Sequence, residues 1–443
     1  LQQWARQTFA ALSIRNYRLF FYGHGLSLIG TWMRRTALGW LVYSMTGSKA
    51  LLGTVMALSL LPLFVLSPLA GALADRFDKR RIIIVSQVLA AVVSAALALL
   101  VWSGAAQVWQ IGTLALLGGV AFALEVPARQ AFVVEMVGRD HLLNAIALNS
   151  ALINATRIIG PAVAGLVMGV VGVAACFALD ALSYLVVIGT LLALRLGHRP
   201  PLAEPRPHLQ LIAEGARVAF RHPTVRLVIF MLTSTGIFGW SFQSLLPAIA
   251  QDNLHLDELR YGVLMSMFGV GAIVGALVTA SRAQAPRRMR QMFAGVWAMF
   301  IGLAFLSLTR SFLPTCAALL VAGFGGVLFV STGNTMVQLS VADSMRGRVM
   351  GIWALAFGGS LPIGSWMAGH VAEGLARLDS PAVAETWPTF AGIFLGANAS
   401  YLAIALFALV LLACILFAER LLAPSALRVE EERARAPQVP AVS

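Results

Sequence analysis

Five charged residues stand inside stretches that are otherwise almost wholly apolar: Arg34, Arg35, Glu125, Arg157 and Asp180. In such surroundings a charge is costly, and it faces a cavity or a partner of opposite sign. Glu125 and Arg129 are spaced i,i+4 and can pair on one helix. Asp180 suits Arg34 or Arg35 as a partner, whereas for Arg157 cavity lining and a structural ion pair stand equally open. A guanidinium keeps its charge, and its planar fork takes a carboxylate or phenolate through two hydrogen bonds. With one acid held by Arg129, the three arginines leave this region electropositive, a setting for organic anions rather than cations. No HExxH pair, G-x-S-x-G elbow or G-x-x-x-x-G-K-[ST] loop is present, so hydrolytic and ATP-driven chemistry have no sequence basis.

These residues need helices to align them. At 3.6 residues per turn, His24, Ser27, Thr31, Arg34 and Arg35 fall within one sector of about 100°. Ser150, Asn154, Arg157 and Pro161 make a second, narrower stripe, and Ser331, Asn334, Thr335 and Gln338 a third. The chain is 59% hydrophobic and 12% charged over 443 residues, with mean hydropathy +0.82. That is too apolar for a soluble domain of this length. Uncharged blocks such as 53–73 and 401–418 match the roughly 17–25 residues that cross a bilayer core. About twelve such segments follow: 19–45, 51–73, 82–103, 109–131, 142–169, 173–194, 224–250, 260–281, 290–309, 313–339, 347–372 and 391–418. The fold class is therefore an all-α polytopic membrane protein.

With both termini inside, the inner loops collect basic residues from Arg76 to Arg348, and the outer loops keep Lys49, Arg260, Arg310 and Arg377. This positive-inside asymmetry accounts for most of the +13 net charge and argues against a nucleic-acid surface. Cys176, Cys316 and Cys414 lie in separate spans and read as small apolar side chains, with no metal or disulfide spacing. The longest inner connection starts rich in proline, and its residues 209–220 read as an amphipathic surface helix. The chain thus divides into an inner N-terminal segment (1–18), six spans (19–195), the linker (196–223), six spans (224–418) and a disordered inner tail (419–443). Two six-span repeats around a central site is a transporter architecture.

The loop GALADRFDKRR (71–81) after the second span has a weak echo, GALVTASRAQAPRR (275–288), after the eighth. Gly71, Asp75, Arg76, Lys79 and Arg80 resemble the loop motif of the major facilitator superfamily, with Asp78 where that pattern usually has Gly. GTWMRRTALGWLVYSMTGS (30–48), PARQAFVVEMV (127–137) and NSALINATRIIGPAVAG (149–165) look like its drug- and siderophore-exporter branch. The resemblance implies twelve transmembrane helices in two pseudo-symmetric six-helix bundles, with a cavity between them. Arg34, Arg35, Asn154, Arg157, Asn334, Gln338 and Trp240 become the expected substrate-binding residues, and Glu125 and Asp180 the expected coupling carboxylates. Asp75 would sit at the positive N-terminal end of span eleven, near Met345–Val349, as an inner latch between the halves. The loop's basic residues would hold it at the membrane surface and pair with Asp75 and neighbouring acids, and Arg129 joins the expected gating set. Gly160, Pro161 and Gly165 fit the Gly-Pro packing motif of superfamily antiporters, although Ala164 and Thr156 replace usual glycines.

The implied function is export of an amphipathic, acidic or phenolic solute, siderophore or drug-like, by alternating access in a bacterial inner membrane. The implied energy source is proton antiport without a cofactor, in a monomer surrounded by lipid. A lipid translocator or an uptake carrier of the same fold is the alternative, and an intramembrane enzyme or sensor is disfavoured. This topology places residue 254 outside and residue 206 inside. A cysteine introduced at 254 should react with a membrane-impermeant reagent in intact cells, and one at 206 only in inverted vesicles. Labelling of 206 from outside would reverse the charge asymmetry and defeat the assignment.

Overall fold

The computed structural model describes residues 9–138, 140–194, 208–281, 288–378 and 399–428, which form helices and their connections only. Among the described residues twelve long helices follow one another in chain order. They are α1 (Arg15–Thr46), α2 (Lys49–Arg76), α3 (Lys79–Trp102), α4 (Val108–Val137), α5 (Leu142–Val170) and α6 (Val173–Ala193). After the linker helix His208–Arg221 come α7 (Pro223–Asn253), α8 (Glu258–Ser281), α9 (Arg288–Leu308), α10 (Phe312–Ser340), α11 (Asp343–Leu378) and α12 (Ala399–Arg428). Eleven of them are long and apolar enough to cross a membrane. The exception is α1, the helix that carries the first polar stripe, and it is held among the others by packing.

Three elements differ from expectation. The helix of α1 begins at Arg15, so part of the expected inner segment is already helical. At the other end, α12 runs through a wide turn at Ala418–Leu422 and on to Arg428, into the stretch expected as a disordered tail. The seventh span is interrupted by a wide turn at Thr235–Gly239 and a tight one at Ser241–Leu245. Gly236 and Gly239 lower helix propensity there, and Pro247 lacks the N–H that would bond back into the tight turn. The proline-rich start of the linker, residues 282–287 of the expected loop echo, the first residues of the twelfth expected span and the end of the tail lie outside the described residues.

The two sets of six pack alike. In the first half α2 lies on α4, α3 on α4 and α6, and α1 on α5 and α6; α8 on α10, α9 on α10 and α12, and α7 on α11 and α12 repeat the pattern. The halves meet mainly through α2 against α11 and α5 against α8. Glycine permits both crossings. A Cβ on Gly53, the fifth residue of α2, would lie 2.8 Å from Cα of Gly369. One on Gly262, the fifth residue of α8, would lie 2.7 Å from Cα of Gly165. The two segments that receive them, GPAVAG (160–165) and GSWMAG (364–369), are counterparts in sequence and in place. Their leading glycines match as well: Gly160 seats α5 against Ile29 and Trp32 of α1, and Gly364 seats α11 against Gly236 and Ile237 of α7.

Between membrane helices the driving force is close packing, which small residues allow. Gly165→Leu and Gly369→Leu should each destabilise the protein by about 1–3 kcal/mol through overpacking. Gly169→Leu should not, because nothing lies within 4 Å of that position. Thermal unfolding in detergent separates these outcomes, and equal melting of all three variants would mean the crossings hold nothing.

Candidate functional site

Arg34 and Asp180 form an ion pair, Nε to Oδ2 at 3.0 Å, with the carboxylate fully buried. Ser94 donates its hydroxyl to the same oxygen at 2.7 Å. Gly30, one turn before Arg34, admits α6: a Cβ there would sit 2.8 Å from Oδ1 of Asp180. Of the two partners open to Asp180, the structure selects Arg34, so Arg34 is held within its bundle. Beside this pair the Thr31 and Tyr184 hydroxyls lie 3.2 Å apart.

Arg129 pairs with Glu125 at 3.1 Å, as the i,i+4 spacing predicts. Its Nη1 lies 3.0 Å from Nε2 of His24, which is buried and stacked on Phe20. Arginine can only donate, so Nε2 of His24 accepts and the ring hydrogen sits on Nδ1. His24, Glu125, Arg129, Arg34 and Tyr184 line one small cleft inside the first half.

Arg35 and Arg157 differ from these two. Their guanidinium carbons each lie 5.3 Å from the centroid of Trp32, so the two charges sit within about twice that distance of one another. Arg35 also lies 5.2 Å from the centroid of Phe122. Aromatic faces attract a cation by roughly 0.5–2 kcal/mol, which holds the groups without cancelling their charge. Among the described residues neither forms an ion pair, and Nε of Arg157 is buried without a hydrogen-bond partner. Trp32 is in turn fixed by Gly160, where any Cβ would collide with the Cβ of Trp32. Sequence alone does not mark Trp32 or Phe122 as neighbours of these arginines. Trp32 stands three residues before Arg35, a spacing that could have revealed it.

The other expected residues engage closer neighbours. Asn154 donates to the Ser150 carbonyl at 2.9 Å, and Gln338 donates to Asn334 at 2.6 Å. Trp240 meets Phe268 and Phe357 edge-on, with its buried indole N–H unpartnered.

At the end of the molecule that carries the linker helix, Asp75 and Arg76 are exposed, and Gly71 faces open space. Among the described residues none of the loop's basic side chains pairs with Asp75, whereas a neighbouring acid is engaged as expected. Lys79 pairs with Glu135 at 2.8 Å, Arg80 donates to the Leu192 carbonyl at 3.1 Å, and Asp78 caps α3 at the Arg81 N–H. Those contacts are nearer because they lie within the loop's own half. The expected target of Asp75, the start of α11, meets the linker helix instead, through Arg348 and Glu214 at 2.6 Å.

The opposite end is closed across the halves. Asp252 of α7 accepts from Tyr43 and pairs with Lys49 at 2.9 Å. Glu373 of α11 accepts from the backbone of Lys49 at 2.8 Å and Ala50 at 3.3 Å, and from the Ser48 hydroxyl at 3.2 Å. One carboxylate thereby caps the start of α2. Trp40 and Tyr261 add ring contact at 5.0 Å. By sequence alone Lys49 is only an outer-loop charge.

Removing one partner of a buried ion pair costs about 3–5 kcal/mol. Asp180→Asn and Arg34→Gln should both lower thermal stability on that scale, and Arg35→Gln should lower it far less. Equal losses from all three in detergent melts would mean that Arg35 is a structural cation too.

Residues 6–384 match the family described as transmembrane secretion effector. The staphyloferrin A transporter of Staphylococcus aureus (strain NCTC 8325 / PS 47) is 26% identical over 364 residues, 80% of this chain and 89% of its own. The enterobactin exporter EntS of Shigella boydii serotype 4 (strain Sb227) is 25% identical over 338 residues, 76% of this chain and 80% of its own. Among solved structures, the nucleoside transporter NupG superposes with TM-score 0.71 at 13% identity, over 91% of this chain and 98% of its own. A bacterial homologue of the human lysosomal transporter Spinster, inward-facing and unoccupied, gives TM-score 0.70 at 15% identity, over 96% and 99%.

Proposed function

The chain belongs to the transmembrane secretion effector family of the major facilitator superfamily, and from that membership we propose that it exports an acidic or phenolic, amphipathic solute of the siderophore class. It is a multi-pass membrane transporter and not an enzyme. The observation that carries the proposal is the pair of arginines on Trp32. Four arginines lie in this part of the first half; Arg34 and Arg129 are matched by acids, and Arg35 and Arg157 are not. Uncompensated charge in a membrane interior is retained where a ligand or pathway needs it. A solute with a carboxylate or phenolate would supply the missing charge and lay an aromatic or apolar body against Trp32 and Phe122. The two relatives are named for siderophores, which supports this reading.

With the linker end in the cytoplasm, as the loop charges argue, the contacts of Asp252 and Glu373 with the Lys49 region would seal the outer side, and the end where Asp75 is exposed would be the way in. A solute would enter from the cytoplasm and reach the arginines. Outward opening would then separate Lys49 from Asp252 and Glu373 from the start of α2. Inward closure would bring Asp75 to the first turn of α11 and displace Glu214 from it. Proton antiport fits Glu125, since protonating it would free Arg129 within the cleft beside the arginine pair. Asp180 is the second carboxylate in reach of such a change.

Export is tested by uptake of catecholate and carboxylate siderophores into inverted vesicles, with and without a proton gradient. Arg35→Gln and Arg157→Gln should each weaken binding of an acidic solute by about 1.5–3 kcal/mol, the worth of a hydrogen bond to a charged group, and affect a neutral analogue little. Calorimetric titration of folded variants decides. Full affinity for every acidic solute after either change would remove the arginine pair from the site.

A further inference from the structure

The linker helix His208–Arg221 presents two opposed faces. One is fastened to α11. Gly215 and Ala219 are buried, a Cβ on Gly215 would lie 2.5 Å from the Arg348 carbonyl oxygen, and Glu214 pairs with Arg348 at 2.6 Å. At 100° per residue, Arg217, Phe220 and Arg221 project from the side opposite Gly215 and Ala219. All three are exposed, Phe220 at 69%. Among the described residues neither arginine has a hydrogen bond or ion pair. Like charges at i,i+4 weaken a helix, and a bare phenyl ring beside them gains nothing from water. Helix stability therefore does not account for this face, and a partner with negative charge above an apolar layer does. The place agrees, because α7 begins at Pro223, so the linker helix lies where the chain enters the membrane.

We propose that Arg217, Phe220 and Arg221 form a docking surface for anionic phospholipid, with the guanidinium groups on headgroup phosphates and the phenyl ring among the upper acyl chains. Through Glu214 and Gly215 the lipid-held helix steadies the first turns of α11. Lipid charge in that leaflet thereby favours the conformation described here. The inference is independent of which solute is carried.

The test is native mass spectrometry of the full chain in detergent with equal phosphatidylglycerol and phosphatidylcholine. Wild type should retain phosphatidylglycerol preferentially. Each of Arg217→Gln and Arg221→Gln should cut that preference about fivefold, the contribution of one basic residue at an anionic surface. Arg290→Gln, which changes another exposed arginine at the same end, should leave it intact. Phe220→Ser should lower retention of both lipids. In hydrogen exchange, phosphatidylglycerol should slow exchange at the start of α11 in wild type and not in Glu214→Gln. Unchanged lipid preference in the Arg217→Gln/Arg221→Gln double variant would overturn the proposal. So would a soluble anion such as inorganic phosphate displacing the lipid at low millimolar concentration, or specific capture of a protein or nucleic acid by this face in preference to lipid.

Discussion

The structure rests on two places where helix backbones touch with no side chain between them, Gly53 on Gly369 and Gly165 on Gly262. Close backbone approach gains dispersion contacts that lipid cannot supply and excludes lipid and water from the seam. Each crossing joins a helix of one half to a helix of the other, so their separation sets the distance between halves at the sealed end. The same two receiving helices carry Gly160 and Gly364, which press α5 onto α1 and α11 onto α7. One short pattern, used twice, thus fixes both the seam and the inner helix of each bundle. Trp32 owes its position to this arrangement, and the two arginines beside it owe theirs to Trp32.

The first half sorts its four mid-span arginines by partner. Asp180 and Glu125 neutralise two, and aromatic rings hold the other two without removing their charge. The second half has no comparable ionic cluster among its described mid-span residues. There, amides pair on α10 and Trp240 packs among phenylalanines. Charged side chains are therefore concentrated in the first bundle, and neutral amides and aromatic packing in the second.

Most of the fold was legible because membrane helices announce themselves by length and apolarity, and the polar linker divides them into two sets of six. The i,i+4 pair of Glu125 and Arg129 needed only helical spacing. The choice between Arg34 and Arg35 for Asp180 did not follow from spacing, because neighbouring residues project about 100° apart and only packing decides which faces α6. The sealed end was illegible for a related reason. Tyr43, Lys49, Asp252 and Glu373 sit at helix ends in separate halves, where polar residues are ordinary, and nothing local marks them as partners. The likeness of GPAVAG and GSWMAG was present in the sequence, yet its weight appears only when both segments are seen against glycines of the opposite half. The irregular course of α7 reflects Gly236, Gly239 and Pro247 together, within a segment whose hydropathy reads as one continuous span.

The ionic and capping bonds of the sealed end also have a direction. Ser48, Lys49, Ala50 and Tyr43 of the first half give hydrogens, and Asp252 and Glu373 of the second half receive them. On parting, Lys49 would keep the Tyr43 hydroxyl but lose its counter-charge, and the start of α2 would keep only its Ser48 cap. Separation would leave an ammonium group and a half-capped helix start on one lip, and two carboxylates on the other. Dissolved ions can do for each lip what the opposite lip does in the sealed state, and screening at physiological ionic strength acts over about 8 Å. The seam is therefore a junction between unlike electrical surfaces, and the medium outside the membrane sets how readily it parts.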